Sequence, residues 1–343
     1  MGLVKQVRLG QSGLKISAIV VGCMSYGSKN WMEWVLDDKE KIFKILKHCY
    51  DNGLRTFDTA DVYSNGFSER LLGEFLKKYN IRRETVVILT KVNFPVDETL
   101  DIAVGKPPSE SEALDLANQG GLSRKHILEG VKNSVERLGT YIDVLQIHRF
   151  DHEVPMEETM RALNDVVVQG LTRYIGASLM LATEFAELQF IAEKNGWFKF
   201  ISSQSYYNLL NREDERELIP FAKRHGVGLI PYTPNARGRL CRPVGTVTER
   251  EVVDKALHPR LVQDLSDDQI EIITRVEELS KKKNVSMATI SMAWTLYKGV
   301  NPIVGLSSIE RVDEAIRATE VELTKEEVDY LEEPYQPKFP RTK

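Results

Sequence analysis

Cysteine is scarce: Cys23, Cys49 and Cys241 are the three in 343 residues. That is an odd number for a disulfide framework, and the three are too scattered for a zinc site. No apolar run approaches the ~20 residues that a membrane-crossing helix needs. Residues 1–10 carry no apolar stretch of signal-peptide length. Blocks of basic residues are also missing. Lys and Arg number 46 against 50 Asp and Glu, a formal net charge of −4, whereas a nucleic-acid binder usually masses cations on one face. These absences set aside a disulfide scaffold, a membrane protein and a nucleic-acid partner. They leave a cytoplasmic globular protein as the expectation, a monomer or a weak homo-oligomer.

What is present alternates. After a hairpin-like opening over 7–17, buried-strand runs and amphipathic helices follow each other almost to the end, the pattern of parallel sheet with helical crossovers. The strands are expected at 18–22, 55–60, 85–91, 142–148, 173–178, 200–205, 227–232 and 301–305. Between them Ile42, Phe43, Ile45, Leu46, Cys49 and Tyr50 make one helical stripe stopped at Gly53. Ser123 caps another helix, and two more start near Ser266 and Ser286. Eight β-then-α units at this spacing favour a closed (β/α)8 TIM barrel over a doubly wound sheet. Long loops are expected after strand three (93–121) and strand seven (234–264). A Thr324-capped helix and an irregular tail from Pro334 close the chain. No linker divides it, so one α/β domain is expected over 1–343.

In such a barrel the chemistry lies at the C-terminal strand ends. Those ends are Gly22, Asp58, Lys91, His148, Ser178, Gln204, Tyr232 and the turn Gly305–Ser307. Burying Asp, Lys and His there is costly unless they pair with one another. Tyr63, five residues past Asp58, can reach back over the mouth. A free tyrosine has a pKa of about 10, and a nearby ammonium lowers it. Lys91 can supply that ammonium, Asp58 can hold Lys91 charged, and His148 can orient a carbonyl toward Tyr63. A buried Asp–Lys pair alone is more often structural than catalytic; the convergence of four such groups is what points to proton transfer. His148 and His152 have the spacing of a metal pair but fall on a loop before Pro155, so no metal is expected. Gly10 and Gly13 lack the setting and the third glycine of a Rossmann fingerprint, so any nicotinamide cofactor must be held by strand ends and loops. Trp31, Trp34, Phe94 and Phe150 can line an apolar pocket for substrate.

These residues resemble a known family. Phe57-Asp58-Thr59-Ala60-Asp61-Val62-Tyr63, followed by Gly66, Ser68 and Glu69, is similar to the aldo-keto reductase signature. So are Thr90-Lys91, Leu145-Gln146-Ile147-His148, Arg173 to Ser178, Gln204 with Tyr207-Asn208-Leu209-Leu210, Ile230 to Pro234, Ile303 to Ser307, and Glu310 to Glu314. The branch it most resembles is the fungal aryl-alcohol-dehydrogenase-like reductases. The resemblance implies the tetrad Asp58, Tyr63, Lys91 and His148, and NADP(H) laid across the barrel top to reduce an aryl or other apolar carbonyl substrate. It implies Gly22, Met24, Asp58 and Gly305 beside that cofactor, Ser178 and Gln204 on its carboxamide, and Tyr232 on its ring. Thr233, Asn235, Arg237 and Arg242 would hold its diphosphate, Ser307 and Arg311 its 2′-phosphate, and Glu314 its adenine. The chain departs from the family pattern at Tyr232, often Trp, and at Asn235, Leu179 and Ala315. Some barrels of this kind bind NADPH mainly to regulate a partner such as a channel. Those tend to lack the histidine, so His148 favours an enzyme.

Overall fold

The computed structural model describes residues 2–100, 102–247, 251–254 and 264–339. Parts of the expected loop 234–264 and the last four residues of the tail lie outside the described residues. An antiparallel hairpin, β1 (Gln6–Arg8) and β2 (Lys15–Ser17), precedes the barrel. The barrel strands are β3 (Val20–Gly22), β4 (Thr56–Asp58), β5 (Val87–Val92), β6 (Ile142–Ile147), β7 (Thr172–Ser178), β8 (Phe200–Gln204), β9 (Gly228–Leu229) and β10 (Ile303–Gly305). They pair in parallel in chain order, with β10 beside β3. The ring closes through Asn301 N–H to Leu229 C=O (2.9 Å) and Ile303 N–H to Pro231 C=O (2.8 Å).

Helices α1 (Lys39–Asp51), α2 (Phe67–Lys78), α4 (Arg124–Leu138), α5 (Met156–Val168), α6 (Ala182–Asn195), α7 (Leu218–Arg224) and α9 (Met287–Tyr297) join the strands, and α10 (Ile309–Ala318) follows the last of them. A further helix, α8 (Asp267–Lys283), precedes α9, and α11 (Lys325–Glu332) closes the order. Ser123, Ser286 and Thr324 accept the capping N–H groups expected of them, and Ser266 caps α8 in a capping box. Within the loop after β5 the structure adds a short helix, α3 (Glu110–Leu116), started by a Ser109–Glu112 capping box. It buries no residue, so no apolar stripe announced it.

Strand parity decides what faces the lumen. Val20, Leu89, Val144, Ile230 and Ile303 form one apolar cluster with Leu9 and Ile16 of the hairpin region. Their neighbours Val21, Phe57, Ile88, Leu145 and Ile147 belong to the larger layer shared with the helices. The hairpin plugs the N-terminal end: a side chain at Gly10, whose φ is +57°, would meet Gly226 C=O at 2.3 Å. The opposite end is left for polar groups. The seventh strand is shorter than expected. Only Gly228–Leu229 pair regularly, while Tyr232 is tied by single bridges to Tyr206 and Ile303; Pro231 between them has no N–H to give.

Candidate active site

The last inward positions of the strands meet at the barrel mouth. Lys91 Nζ donates to Asp58 Oδ2 at 2.5 Å, to Thr59 C=O at 2.8 Å and to Tyr63 Oη at 3.3 Å. Lys91 is fully buried, Asp58 3% exposed, Tyr63 9% and His148 7%. Tyr63 rides on the turn after β4, where Ser64, Asn65 and Gly66 in succession take positive φ. Gly27 permits that turn, since a Cβ there would overlap Ser64 Oγ. The His148 ring stands edge-on to Tyr63, centroids 5.8 Å apart.

Electrostatics separate these groups. Burial alone would discharge Lys91, but Asp58 and Tyr63 outweigh it and hold the ammonium above its ordinary pKa. Burial also raises Tyr63, with Lys91 pulling the other way. The net displacement is upward. Lys91 thus lowers the tyrosine as its charge should, but burial outweighs it. Burial, then Lys91 and Arg149, push His148 well below its usual range, which leaves it a neutral hydrogen-bonding group at working pH.

A cavity of about 980 Å³ opens above this cluster. Among the residues lining it are Gly22, Met24, Asp58, Tyr63, His148, Ser178 and Gln204, and, round the ring, Tyr232, Thr233, Asn235, Arg237, Arg242, Gly305, Ser307, Arg311 and Glu314. Every residue assigned to a cofactor by resemblance lines this cavity. Ser25 Oγ, His148 Nδ1 and Asn235 Oδ1, all on lining residues, are buried without a hydrogen-bond partner. Such groups suit a polar ligand. Thr233 and Arg237 hold left-handed backbone (φ 59° and 58°) in the segment beside them, a strained conformation for a β-branched residue. Arg311, in the first turn of α10, donates to Ser307 Oγ at 2.5 Å. Burial and Glu314 push the Cys241 thiol up to about 12 against Arg242 and Arg311, which places these charges in one neighbourhood.

The aromatic expectations fare less evenly. Trp31 and Phe94 stand one ring behind the cavity, against Tyr63 (6.1 Å) and His148 (5.1 Å). Phe150 is turned to His152 and the outer apolar layer. Trp34 lines the wall instead, as do Arg149 and Tyr206, which sequence reasoning did not single out. His152 is exposed toward Glu184 at 3.7 Å, away from His148. Gln146 was overlooked too, although its inward parity with Val144 and His148 was readable: it donates to Asp58 Oδ1 at 2.9 Å.

This geometry agrees with comparison to known proteins. Residues 18–336 match the model of the aldo/keto reductase family. The chain is 67% identical over 341 residues to a provisionally named aryl-alcohol dehydrogenase of Saccharomyces cerevisiae, covering 99% of this chain and 100% of that one. It is 53% identical to the versiconal hemiacetal acetate reductase of Aspergillus parasiticus (96% and 97% covered). With an aldo-keto reductase of Alternaria alternata it shares 45% identity (97% and 92% covered). The chain belongs to the aldo-keto reductase family. It is thereby an oxidoreductase acting on small-molecule carbonyl compounds, in a family that typically uses NAD(P)H. Among the described residues no helix is long and apolar enough to cross a membrane.

Proposed function

We propose that the chain, acting as one barrel domain, reduces aryl or other apolar aldehydes and ketones with NADPH, Tyr63 serving as the general acid. The observation that carries this reading is the chain of contacts Asp58–Lys91–Tyr63, which ends at the cavity beside His148. When bound, the reduced nicotinamide supplies the hydride. Tyr63 Oη gives its proton to the carbonyl oxygen, and the Lys91 ammonium stabilises the phenolate that is left. Asp58 keeps that ammonium charged and fixed. His148, neutral, orients the carbonyl. Ser178 and Gln204 would take the carboxamide and Tyr232 the ring face, with Gly22, Met24 and Gly305 alongside. Thr233, Asn235, Arg237 and Arg242 would hold the diphosphate, Ser307 and Arg311 the 2′-phosphate, and Glu314 the adenine. Arg311 supports the choice of NADPH: a helix N-terminus already favours anions, and the guanidinium fork adds bidentate reach to a phosphate dianion. Trp34 supplies an apolar side for substrate, with Trp31 and Phe94 backing Tyr63 and His148.

The aryl preference draws on the name of the Saccharomyces cerevisiae relative. Consumption of NADPH and of NADH with a panel of aromatic and aliphatic aldehydes tests the reading. Turnover with aryl aldehydes and a preference for NADPH are expected. Tight NADPH binding with no turnover on any carbonyl would instead make the barrel a regulatory subunit.

A further inference from the structure

We propose that Gln146 is a positioning residue that fixes which hydrogen-bonding function Gln204 presents to the cavity. This rests on the reading of Gln204 as the neighbour of the nicotinamide carboxamide. Gln146 and Gln204 are 0% and 2% exposed. Asp58 Oδ1 receives both Gln146 Nε2 and Gln204 Nε2 at 2.9 Å, and Gln204 Nε2 also donates to Gln146 Oε1 at 2.9 Å.

An ionised carboxylate only accepts, so both amides must turn nitrogen toward Asp58, and their orientation follows from chemistry. Gln204 thereby spends both of its N–H groups on Asp58 and Gln146. Its remaining function is the acceptor Oε1, and Gln204 lines the cavity. The site is thus set to recognise a donor, the NH2 of a primary carboxamide. Gly176 makes the triangle possible. A Cβ there would sit 2.4 Å from Ser202 Oγ and 3.3 Å from Gln146 Cγ, crowding the space through which Gln146 crosses the lumen. Without Gln146, one N–H of Gln204 is released and can turn to the cavity, and the preference for a donor relaxes.

The test compares binding of NADP+ with that of its 3-acetylpyridine analogue, in which a methyl ketone replaces the carboxamide and offers only an acceptor. Dissociation constants come from quenching of intrinsic fluorescence. 2′-Phospho-ADP-ribose, which has no pyridine, serves as the control. In the wild type the analogue should bind about tenfold more weakly than NADP+, the scale of one unmatched hydrogen bond. In Gln146→Leu that ratio should fall to about threefold or less, with 2′-phospho-ADP-ribose binding as in the wild type. Gln146→Met, close to the native volume, repeats the measurement should the leucine variant fold poorly. An unchanged ratio in a variant that still binds NADP+ overturns the role of Gln146 and leaves the proposed function intact. A wild type that binds neither NADP+ nor 2′-phospho-ADP-ribose overturns the proposed function, and this inference with it.

Discussion

One buried ion pair lies on each face of β5: Lys91 belongs to the inner one, and its neighbour Thr90 hydrogen-bonds to the outer one. Lys91 points into the lumen and meets Asp58. Thr90 points outward and donates its hydroxyl to Glu69 Oε1 at 2.5 Å, while Glu69 Oε2 takes Arg137 Nε of α4 at 2.7 Å. Both pairs are dry: the side chains are 0% and 4% exposed in the first, 6% and 0% in the second. Burial alone therefore does not separate chemistry from architecture. The surroundings do. The outer pair lies between β5, α2 and α4, with Ser134 completing its hydrogen bonds. The inner pair has Tyr63 as a third member and the cavity beyond it.

The largest effect that sharpens this contrast comes from Tyr63→Phe. It should lower the rate of reduction by about 10²–10⁴, the worth of a general acid, and leave NADPH affinity in place. Kinetics together with a binding titration would show the split. Arg137→Met should act on the other side of the contrast. It strands the buried Glu69 carboxylate, for about 3–5 kcal/mol of lost stability, measured by denaturant unfolding. The pH–rate profile of the folded fraction should stay as in the wild type, and a shift in that profile would erase the distinction between the two pairs. Arg311→Ala, farther along the cavity, removes a charge-assisted contact worth roughly 1.5–3 kcal/mol. NADPH should bind about ten- to a hundredfold more weakly, with NADH nearly unaffected; equal losses would free Arg311 of any part in reading the 2′-phosphate. The smallest effect belongs to an exposed pair. Lys325→Ala, which breaks the i,i+4 bridge to Asp329, should leave the unfolding midpoint nearly where it is, because exposed pairs are screened by solvent.

Much of this was legible in the sequence, because the signals were strong and local. Ser123, Ser266, Ser286 and Thr324 announced helix starts, and short strand-like runs ending in Asp58, Lys91 and Gln204 announced strands and their active ends. The eight-fold alternation named the barrel. What escaped depended on partners far away in sequence. Gln146 reads as an ordinary strand residue until Asp58 and Gln204, 88 and 58 positions away, are brought beside it. The sign of the Tyr63 displacement depends on how completely the folded mouth buries the phenol, which no spacing reveals. Phe150 was assigned to the pocket as one of four aromatics able to line it, but β6 ends at Ile147 and the loop beyond it turns the ring to His152. Helix α3 lacks the apolar face that makes a helix visible.

The central claim is that Lys91, unlike Arg137, which is buried too, acts on the Tyr63 proton. Single-turnover hydride transfer from NADPH, followed against pH, tests it most directly. Reduction needs protonated Tyr63, so the rate falls as pH rises through the tyrosine pKa. Removing the ammonium in Lys91→Met should lift that pKa, move the basic limb to higher pH and lower the plateau, while Arg137→Met leaves the limb in place. A basic limb at the same pH in wild type and Lys91→Met would contradict the account.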